Sequence, residues 1–591
     1  MTALLDAAIG ELTDEQRLAV QHTGNFSLLA RPGSGKTRVV GLRLALAAAD
    51  QSRSIAVTSY TNVAVEEVHA VVARAGIVVG SKHYVGTLHG LLLDYIVRPH
   101  GHLVRDGKVG PLRIRHDDWV GGRGWPVVKL GGDRSKRVPI SFFDWTADEQ
   151  VVCRRRPPGF NYATVKQITE LGAEEARKLK DKEMKQRGVI TQSDAMFVAL
   201  KVLSRSRLAA ALAGRFDEII VDEAQDTSDV QLACIEALRT TGVLRSLVIV
   251  ADLEQSIYGF QGADPARCER LINKGGIEPL DLTRNFRSSQ RICNVARHFT
   301  AREEADVAVG PHAKCHIDPE VLRFPANVPK AAVETFAAQL TVHGIPQADA
   351  VVLSRSRGLR DALNGPAEVQ CNRTIRALGR LAAARSLART LNISEVRAAE
   401  ETLLWCIDDK KHLGDIPKDA RRRLRAAVGT LFRELPATDG TLATWISAAR
   451  PVLNSLLNDM VTKGHKLSHE PSAVCKALTK FEKVEAVTIL GGAQGTLHAQ
   501  TVHAVKGCSV DAVLMVVAPR SKRGDPAQLL TNLCAGGGDL HEREDLRIGF
   551  VALSRAQRYC AVALADSVAE DVHAQYVEMG FVPVVDGRSS R

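Results

Sequence analysis

An apolar run, Phe26-Ser27-Leu28-Leu29, leads directly into Ala30-Arg31-Pro32-Gly33-Ser34-Gly35-Lys36-Thr37 and then into Arg38-Val39-Val40-Gly41-Leu42-Arg43-Leu44. Strand, glycine-rich loop and helix, in that order, are what a phosphate-cradling loop requires. Gly33 and Gly35 let backbone N–H groups turn toward phosphate oxygens, and the helix adds the positive end of its dipole. In that frame Lys36 pairs with β- and γ-phosphate oxygens and the Thr37 hydroxyl ligates Mg2+. A lone match of this kind is moderately specific; it points the chain toward an α/β fold, and the decision rests on what accompanies it.

The second half of such a site is Asp217-Glu218-Ile219-Ile220-Val221-Asp222-Glu223-Ala224-Gln225-Asp226, an apolar strand closed by adjacent carboxylates. A carboxylate at the carboxyl end of a buried strand faces the ligand crevice of an open α/β sheet. Asp222 is the candidate for holding Mg2+, and Glu223 for polarising the attacking water. An acidic solvated turn is the competing explanation, and it weakens once the phosphate loop is considered beside it. The pair predicts hydrolysis of ATP with Mg2+.

Further segments follow in a fixed order. They are Leu12-Thr13-Asp14-Glu15-Gln16-Arg17, Val57-Thr58-Ser59-Tyr60-Thr61-Asn62, Gly86-Thr87-Leu88-His89-Gly90 and Asp252-Leu253-Glu254-Gln255-Ser256-Ile257-Tyr258-Gly259-Phe260-Gln261-Gly262-Ala263. Asn285-Phe286-Arg287-Ser288, Val502-His503-Ala504-Val505-Lys506-Gly507 and Val551-Ala552-Leu553-Ser554-Arg555-Ala556 complete the series. With the phosphate loop and the Asp222-Glu223 segment, they resemble the motifs of the superfamily 1A DNA helicases of the UvrD/Rep/PcrA type, from Leu12 to about Ala565.

The resemblance implies roles. Gln16 reads the adenine edge, Arg38 and Phe286 flank the base, and Arg31, Pro32, Gly33, Ser34, Gly35, Lys36 and Thr37 form the phosphate loop. Hydrolysis builds negative charge on the γ-phosphoryl oxygens, which inserted guanidinium groups stabilise. Arg287 and Arg555, remote in sequence from Lys36, are implied to supply them from a second domain, and Gln255 to report the γ-phosphate to the DNA site. Surface exposure is the commoner fate of an arginine; the motif context favours the site.

A single-strand track needs stacking aromatics, because every base has a π face. Tyr60, Tyr258 and Phe260 are the candidates, with Thr87, His89 and His503 touching phosphate or sugar. Core packing is the alternative for the aromatics, and a structural hydrogen bond for the histidines.

The chain also departs from the family pattern. Arg31 stands where relatives usually carry Gly, Ala251 replaces a Gly, and Gln261 replaces an Arg that faces DNA. After Lys506-Gly507 the sequence runs Cys508-Ser509-Val510, without the Glu that often contacts ribose. These differences suggest a divergent branch.

The 591 residues carry a formal net charge of +11, which suits a polyanionic partner. The absence of a long apolar run argues against a membrane span. The opening Met1-Thr2-Ala3-Leu4-Leu5-Asp6 lacks the order of a secretory signal. The 11 cysteines form no CxxC or Cys/His cluster, so neither a disulfide framework nor a metal centre is indicated. A soluble, cytoplasmic protein is expected.

The fold expected is α/β, with two RecA-like P-loop NTPase domains built on parallel sheets, each carrying an inserted, mainly helical subdomain. Residues 1–95 and 205–280 would form the ATP-binding domain, and 96–204 its insertion, in which Arg154-Arg155-Arg156 and Lys178-Leu179-Lys180 are basic. Residues 281–359 and 487–575 would form the second domain, 360–486 its insertion and 576–591 a tail. The function expected is an ATP-dependent single-stranded DNA translocase and helicase, 3′-to-5′ by resemblance, acting on single-stranded and tailed duplex DNA. The alternative is a DNA-sensing ATPase subunit that regulates a separately encoded nuclease in antiphage defence, which would make a nuclease or repair factor its protein partner. RNA as the track is the third, less favoured reading.

Overall fold

A computed structural model describes the chain except for residues 1–2, 51–52, 106, 108–109, 116–124, 134, 158–159, 161–162, 260–261, 365–372, 387–392, 408–417, 439, 461–496, 518–543, 586–587 and 590–591. Phe260 and Gln261, and the expected return to the second RecA-like domain near Val487, lie outside the described residues. The chain forms two compact units, one of residues 1–323 with 502–591 and one of residues 324–501.

The first unit is organised by a six-stranded sheet. In space its strands run Glu278–Leu282, Phe26–Ala30, Ser246–Ala251, Glu218–Val221, Ile55–Ser59, Tyr84–Thr87. Every neighbouring pair is parallel. Ile55–Ser59, Glu218–Val221 and Ser246–Ala251 are buried along their whole lengths. Parallel strands covered on both faces need such largely apolar runs, which is why these segments are rich in Val, Ile and Leu. Glu218 is the charged residue among them. It is fully buried and pairs with Arg43 on the phosphate-loop helix, Nε to Oε1 at 2.6 Å and Nη2 to Oε2 at 2.5 Å. The same guanidinium donates to the carbonyls of Ala19 and Val20, at 3.1 Å each, so its charge is matched and its donors are used.

The common direction of these strands brings their carboxyl ends to one edge. Ala30 opens into the phosphate loop, Ser59 into Tyr60, Thr87 into His89, Val221 into Asp222 and Ala251 into Asp252. Five motifs remote from one another in the sequence thereby meet along one crevice, as the open α/β sheet dictates.

Between these strands the chain inserts a subdomain with a long amphipathic helix, Val165–Lys182, opened by a Thr164/Gln167 capping box. Short antiparallel ribbons accompany it, Val127–Lys129 with Arg137–Pro139 and Phe143–Trp145 with Val151–Cys153. Ile168 and Ala176 of the helix share a core with Val128, Val138 and Phe143 of the ribbons.

The later part of the first unit adds a second parallel pairing. Val510–Val516 lies beside Ala556–Ala565, with Val513 opposite Cys560, and Glu320 lies opposite Val582. Buried Tyr559 donates its hydroxyl to buried Glu320 at 2.5 Å.

The second unit contains a parallel pair, Ala350–Ser354 with Ala499–Thr501, and the helices Arg373–Ser386, Ile393–Ile407, Lys418–Glu434 and Leu442–Met460. Leu381, Leu403, Leu431, Trp445 and Leu457 form their core. Ile375, Leu378 and Leu381 recur three residues apart, a helical spacing, within the first of these helices. No described helix is long and apolar enough to cross a membrane.

Candidate nucleotide site and nucleic-acid interface

The phosphate loop has the backbone that its glycines imply. Gly33 and Gly35 sit at φ +70° and +85°, the left-handed region that a side chain disfavours. A Cβ on Gly35 would lie 2.7 Å from Nε2 of Gln16, so this position has no room for one. Gln16 itself is spent on the protein. Its Oε1 accepts from the Thr13 N–H at 3.3 Å as part of a capping box, and its Nε2 donates to the Ser34 carbonyl at 2.9 Å. It therefore fastens its helix to the loop. The helix Lys36–Ala49 begins without a side-chain cap, leaving its first N–H groups directed at the loop, the arrangement that binds anions. Pro32 and Ser34 are buried, and the Ser34 hydroxyl has no partner. Thr37 is half-buried in the first helical turn.

Asp222 and Glu223 leave the end of their strand toward this loop. Glu223 adopts φ +53°, a left-handed conformation uncommon for a residue with a side chain. The turn sends its Oε1 to 3.3 Å from the Lys36 ammonium. Gln225 Nε2 donates to the other oxygen at 2.6 Å. Burial opposes ionisation of Glu223, but Lys36 and Lys506 outweigh it and hold the carboxyl at about 2. Asp222 is driven the other way, to about 7, by burial and by the Glu223 charge, with Ser59 Oγ donating to it at 3.4 Å. Lys36 feels burial too, yet Glu223, Asp252 and Asp222 raise its pKa. Lys36 and Lys506 thus favour the charged form of Glu223, while burial and the Glu223 charge disfavour that of Asp222.

The arginines come from the opposite side of the crevice. The Phe286 N–H donates to the Gly33 carbonyl at 2.9 Å, so the segment Asn285–Ser288 lies against the phosphate loop. Asn285 Oδ1 accepts from the N–H groups of Arg287 and Ser288 at 2.8 and 2.9 Å, shaping that turn. Arg287 Nη1 donates to the Ser554 carbonyl at 3.1 Å. Arg555, 2% exposed, donates from Nη2 to Gln255 Oε1 at 3.0 Å. Burial and the nearby Arg287 charge lower Arg555 to about 9, and burial lowers Arg287 as well. Two desolvated cations held close together are a site prepared for an anion.

The remaining residues proposed for the nucleotide are placed unevenly. Arg31 pairs with Asp306 at 2.9 Å, and Arg38 reaches Glu11 at 2.7 Å. Phe286 is half-buried beside the loop. Among the described residues neither Arg38 nor Phe286 makes a ring contact, and their place beside the base is what the family resemblance implies.

The aromatic candidates do converge. Tyr60 and Tyr258 stand with ring centroids 5.1 Å apart and planes 35° from parallel, and His503 meets the edge of Tyr258 at 5.8 Å. Tyr258 donates its hydroxyl to the His503 carbonyl at 3.2 Å, and burial pushes that hydroxyl up to about 12. His503 Nε2 lies 3.1 Å from the Ile257 carbonyl. Thr87 caps the following helix through the Gly90 N–H at 3.0 Å. Burial lowers the pKa of His89, and its Nε2 is buried without a partner. Tyr60 and His89 line a cavity of about 160 Å3 together with Trp145, Arg154 and Asp226.

Sequence reasoning missed Lys506. Its ammonium pairs with Asp226, donates to the Gln255 carbonyl at 2.7 Å, lies 3.9 Å from Glu223 and sits 5.2 Å from the centre of the Tyr258 ring. It joins the carboxylates to the aromatics. Its place in Val502-His503-Ala504-Val505-Lys506-Gly507 was the available signal.

The loop with its two left-handed glycines, the uncapped helix start, the partnerless Ser34 hydroxyl, Lys36 and Thr37 make a cradle that fits a magnesium-bound triphosphate. The described residues contain no group of three or more His, Cys, Asp or Glu suited to a metal. Parallel sheets with a phosphate loop and facing arginines define a P-loop NTPase fold of the RecA-like kind. Residues 12–117 and 161–274 match the model of the UvrD/REP helicase N-terminal domain. The chain is 28% identical over 304 residues to DNA helicase II of Escherichia coli (strain K12), an alignment covering 49% of this chain and 40% of that protein. It is 24% identical over 352 residues to ATP-dependent DNA helicase SRS2 of Saccharomyces cerevisiae, covering 54% and 30%. A stretch of 134 residues, 21% of the chain, is 34% identical to 11% of an ATP-dependent helicase/nuclease subunit of Exiguobacterium sibiricum. The matched region thus spans less than half the length of each of these relatives. By these matches residues 12–117 and 161–274 are similar to the N-terminal domain of the UvrD/REP helicases.

Proposed function

We propose that this chain is an ATP-dependent single-stranded DNA translocase and helicase. The observation that carries the reading is the meeting, in one crevice, of Lys36 and Glu223 on one side with Arg287 and Arg555 on the other. ATP is the substrate, held by the phosphate loop and Lys36, with Arg38 and Phe286 toward the base. Thr37 and Asp222 would hold Mg2+, which neutralises phosphate charge when bound. Glu223 orients and polarises the attacking water. Arg287 and Arg555 stabilise the charge that grows on the transferring group.

Gln255 touches Arg555, and its carbonyl accepts from Lys506, which also reaches Asp226 beneath the Tyr60–Tyr258 pair. Closure of the crevice around ATP is therefore felt at the aromatics, and alternate closing and opening ratchets the strand. The 3′-to-5′ direction follows from the family resemblance. ATP turnover with and without single-stranded DNA, then strand displacement on tailed duplexes of each polarity, tests the proposal. DNA-stimulated turnover that disappears in Lys36→Ala and Glu223→Gln is expected; full turnover in either variant refutes the assignment.

A second reading, a DNA-sensing ATPase that regulates a separate nuclease, is favoured by the likeness to a helicase/nuclease subunit. A stable nuclease partner recovered with the protein, together with poor unwinding by the chain alone, would select it.

A further inference from the structure

Arg302 lies in the short loop after the helix Gln290–Ala296, and no motif contains it. Its Nη2 donates to Asp252 Oδ1 at 2.8 Å, and its Nη1 lies 3.5 Å from Asp306 Oδ1. Asp306 also accepts from Arg31 of the phosphate loop at 2.9 Å. The other oxygen of Asp252 accepts from Gln255 Nε2 at 2.8 Å, and Gln255 Oε1 accepts from Arg555 at 3.0 Å. A chain of polar contacts thus runs Arg31, Asp306, Arg302, Asp252, Gln255, Arg555, in which the link between Arg302 and Asp306 is an ion pair without a hydrogen bond. The Ala301 N–H donates to Glu254 at 3.0 Å, which fixes the loop to the segment that bears Gln255.

The chemistry of this chain leaves little freedom. A carboxylate only accepts and a guanidinium only donates, so the Gln255 amide must turn its NH2 to Asp252 and its oxygen to Arg555. That orientation requires Asp252 to be held in place. Asp252 has a side-chain exposure of 1%, and Arg302 is the cation paired with it, while the Glu254 N–H donates to the same Oδ1 at 3.2 Å. Without the Arg302 guanidinium the carboxyl group would be free to rotate, and the amide would lose the fixed acceptor that aims it. Asp306 and Arg31 neutralise and anchor the far end of Arg302, which also lies 5.5 Å from the centre of the Phe550 ring.

We propose that Arg302 is a positioning residue for ATP hydrolysis, with Asp306 and Arg31 as its supports: it holds Asp252 so that Gln255 aims Arg555 at the developing charge. Arg31 acquires a purpose that a glycine at this position could not serve. The inference rests on the proposed ATPase function and adds to it the part that sets the finger.

The test is steady-state ATP hydrolysis by the full chain with saturating single-stranded DNA. Arg302→Gln is expected to lower kcat by about tenfold or more while KM for ATP changes by less than about threefold, because Lys36 and the loop still grip the phosphates. Arg302→Lys, which keeps the charge but not the fork, should recover part of the loss. Arg31→Gly leaves Asp306 to pair with Arg302 alone and should lower kcat less than Arg302→Gln does. Thermal unfolding of Arg302→Gln should stay within a few degrees of wild type, which separates lost positioning from a general loss of folding. A wild-type kcat in Arg302→Gln, or an Arg302→Lys no better than Arg302→Gln, overturns the inference. Wild-type protein without Lys36-dependent turnover would overturn the ATPase reading and this inference together.

Discussion

Replacing Gly33 by alanine tests whether the two sides of the crevice meet as the structure shows. The added Cβ would lie 2.7 Å from Arg287 Cβ, 2.7 Å from Asn285 Oδ1 and 3.2 Å from the Arg287 nitrogen. These neighbours cannot yield cheaply, since Asn285 Oδ1 already accepts the N–H groups of Arg287 and Ser288. Two costs arise, and they separate. The left-handed backbone, φ +70°, penalises alanine by about 1 kcal/mol whether the crevice is open or closed. The collision exists only when the Asn285–Ser288 segment is seated, so its cost, about 1–3 kcal/mol for overpacking, falls on closure alone. Closed molecules should therefore become about 5- to 150-fold rarer. With single-stranded DNA, kcat for ATP should drop within that range, while a fluorescent ATP analogue still binds with affinity within a few-fold of wild type. Thermal unfolding should shift only slightly. A Gly33→Ala variant with unchanged kcat would show that Arg287 does not approach the loop during turnover.

Two further outcomes follow from Lys506 and Asp226. Lys506→Met should lose DNA stimulation of ATP turnover and destabilise the fold by about 1–3 kcal/mol, not more, because the buried Asp226 carboxyl can take up a proton instead of remaining an unpaired charge; Lys506→Met with Asp226→Asn should then be no less stable than Lys506→Met alone by denaturant unfolding. Burial, opposed by Lys506, lifts Asp226 to about 6 from 3.8. The folded protein therefore keeps a proton that the unfolded chain has given up, and this group's stabilising contribution, complete below pH 3.8, is lost as pH rises to 6. Its size is on the order of 3 kcal/mol, and Asp226→Asn should flatten the stability profile across that window.

Much of the first unit was legible because its signals are local. The apolar runs before Ala30, Asp222 and Asp252 announce strands, and the same runs are found buried and parallel. The glycines of the phosphate loop announce their own backbone. What escaped is what depends on partners far away in the chain. Gln16 shows its Ser34 contact, and Arg38 its Glu11 contact, only once folding has fixed the neighbours of each. Arg302 and Asp252 are 50 residues apart, and Lys506 and Asp226 are 280; nothing in the local pattern distinguishes Arg302 from a solvated arginine, and only its place in the motif of residues 502–507 marks Lys506. The short ribbons of residues 127–153 have too few residues for a strand period to show.

The central claim is that Arg555 reaches across to the nucleotide that Lys36 holds. Single-turnover hydrolysis of bound ATP, started by adding single-stranded DNA to Arg555→Ala, measures this most directly. The account predicts a rate on the order of a thousandfold below wild type with ATP still bound; hydrolysis at the wild-type rate would contradict it.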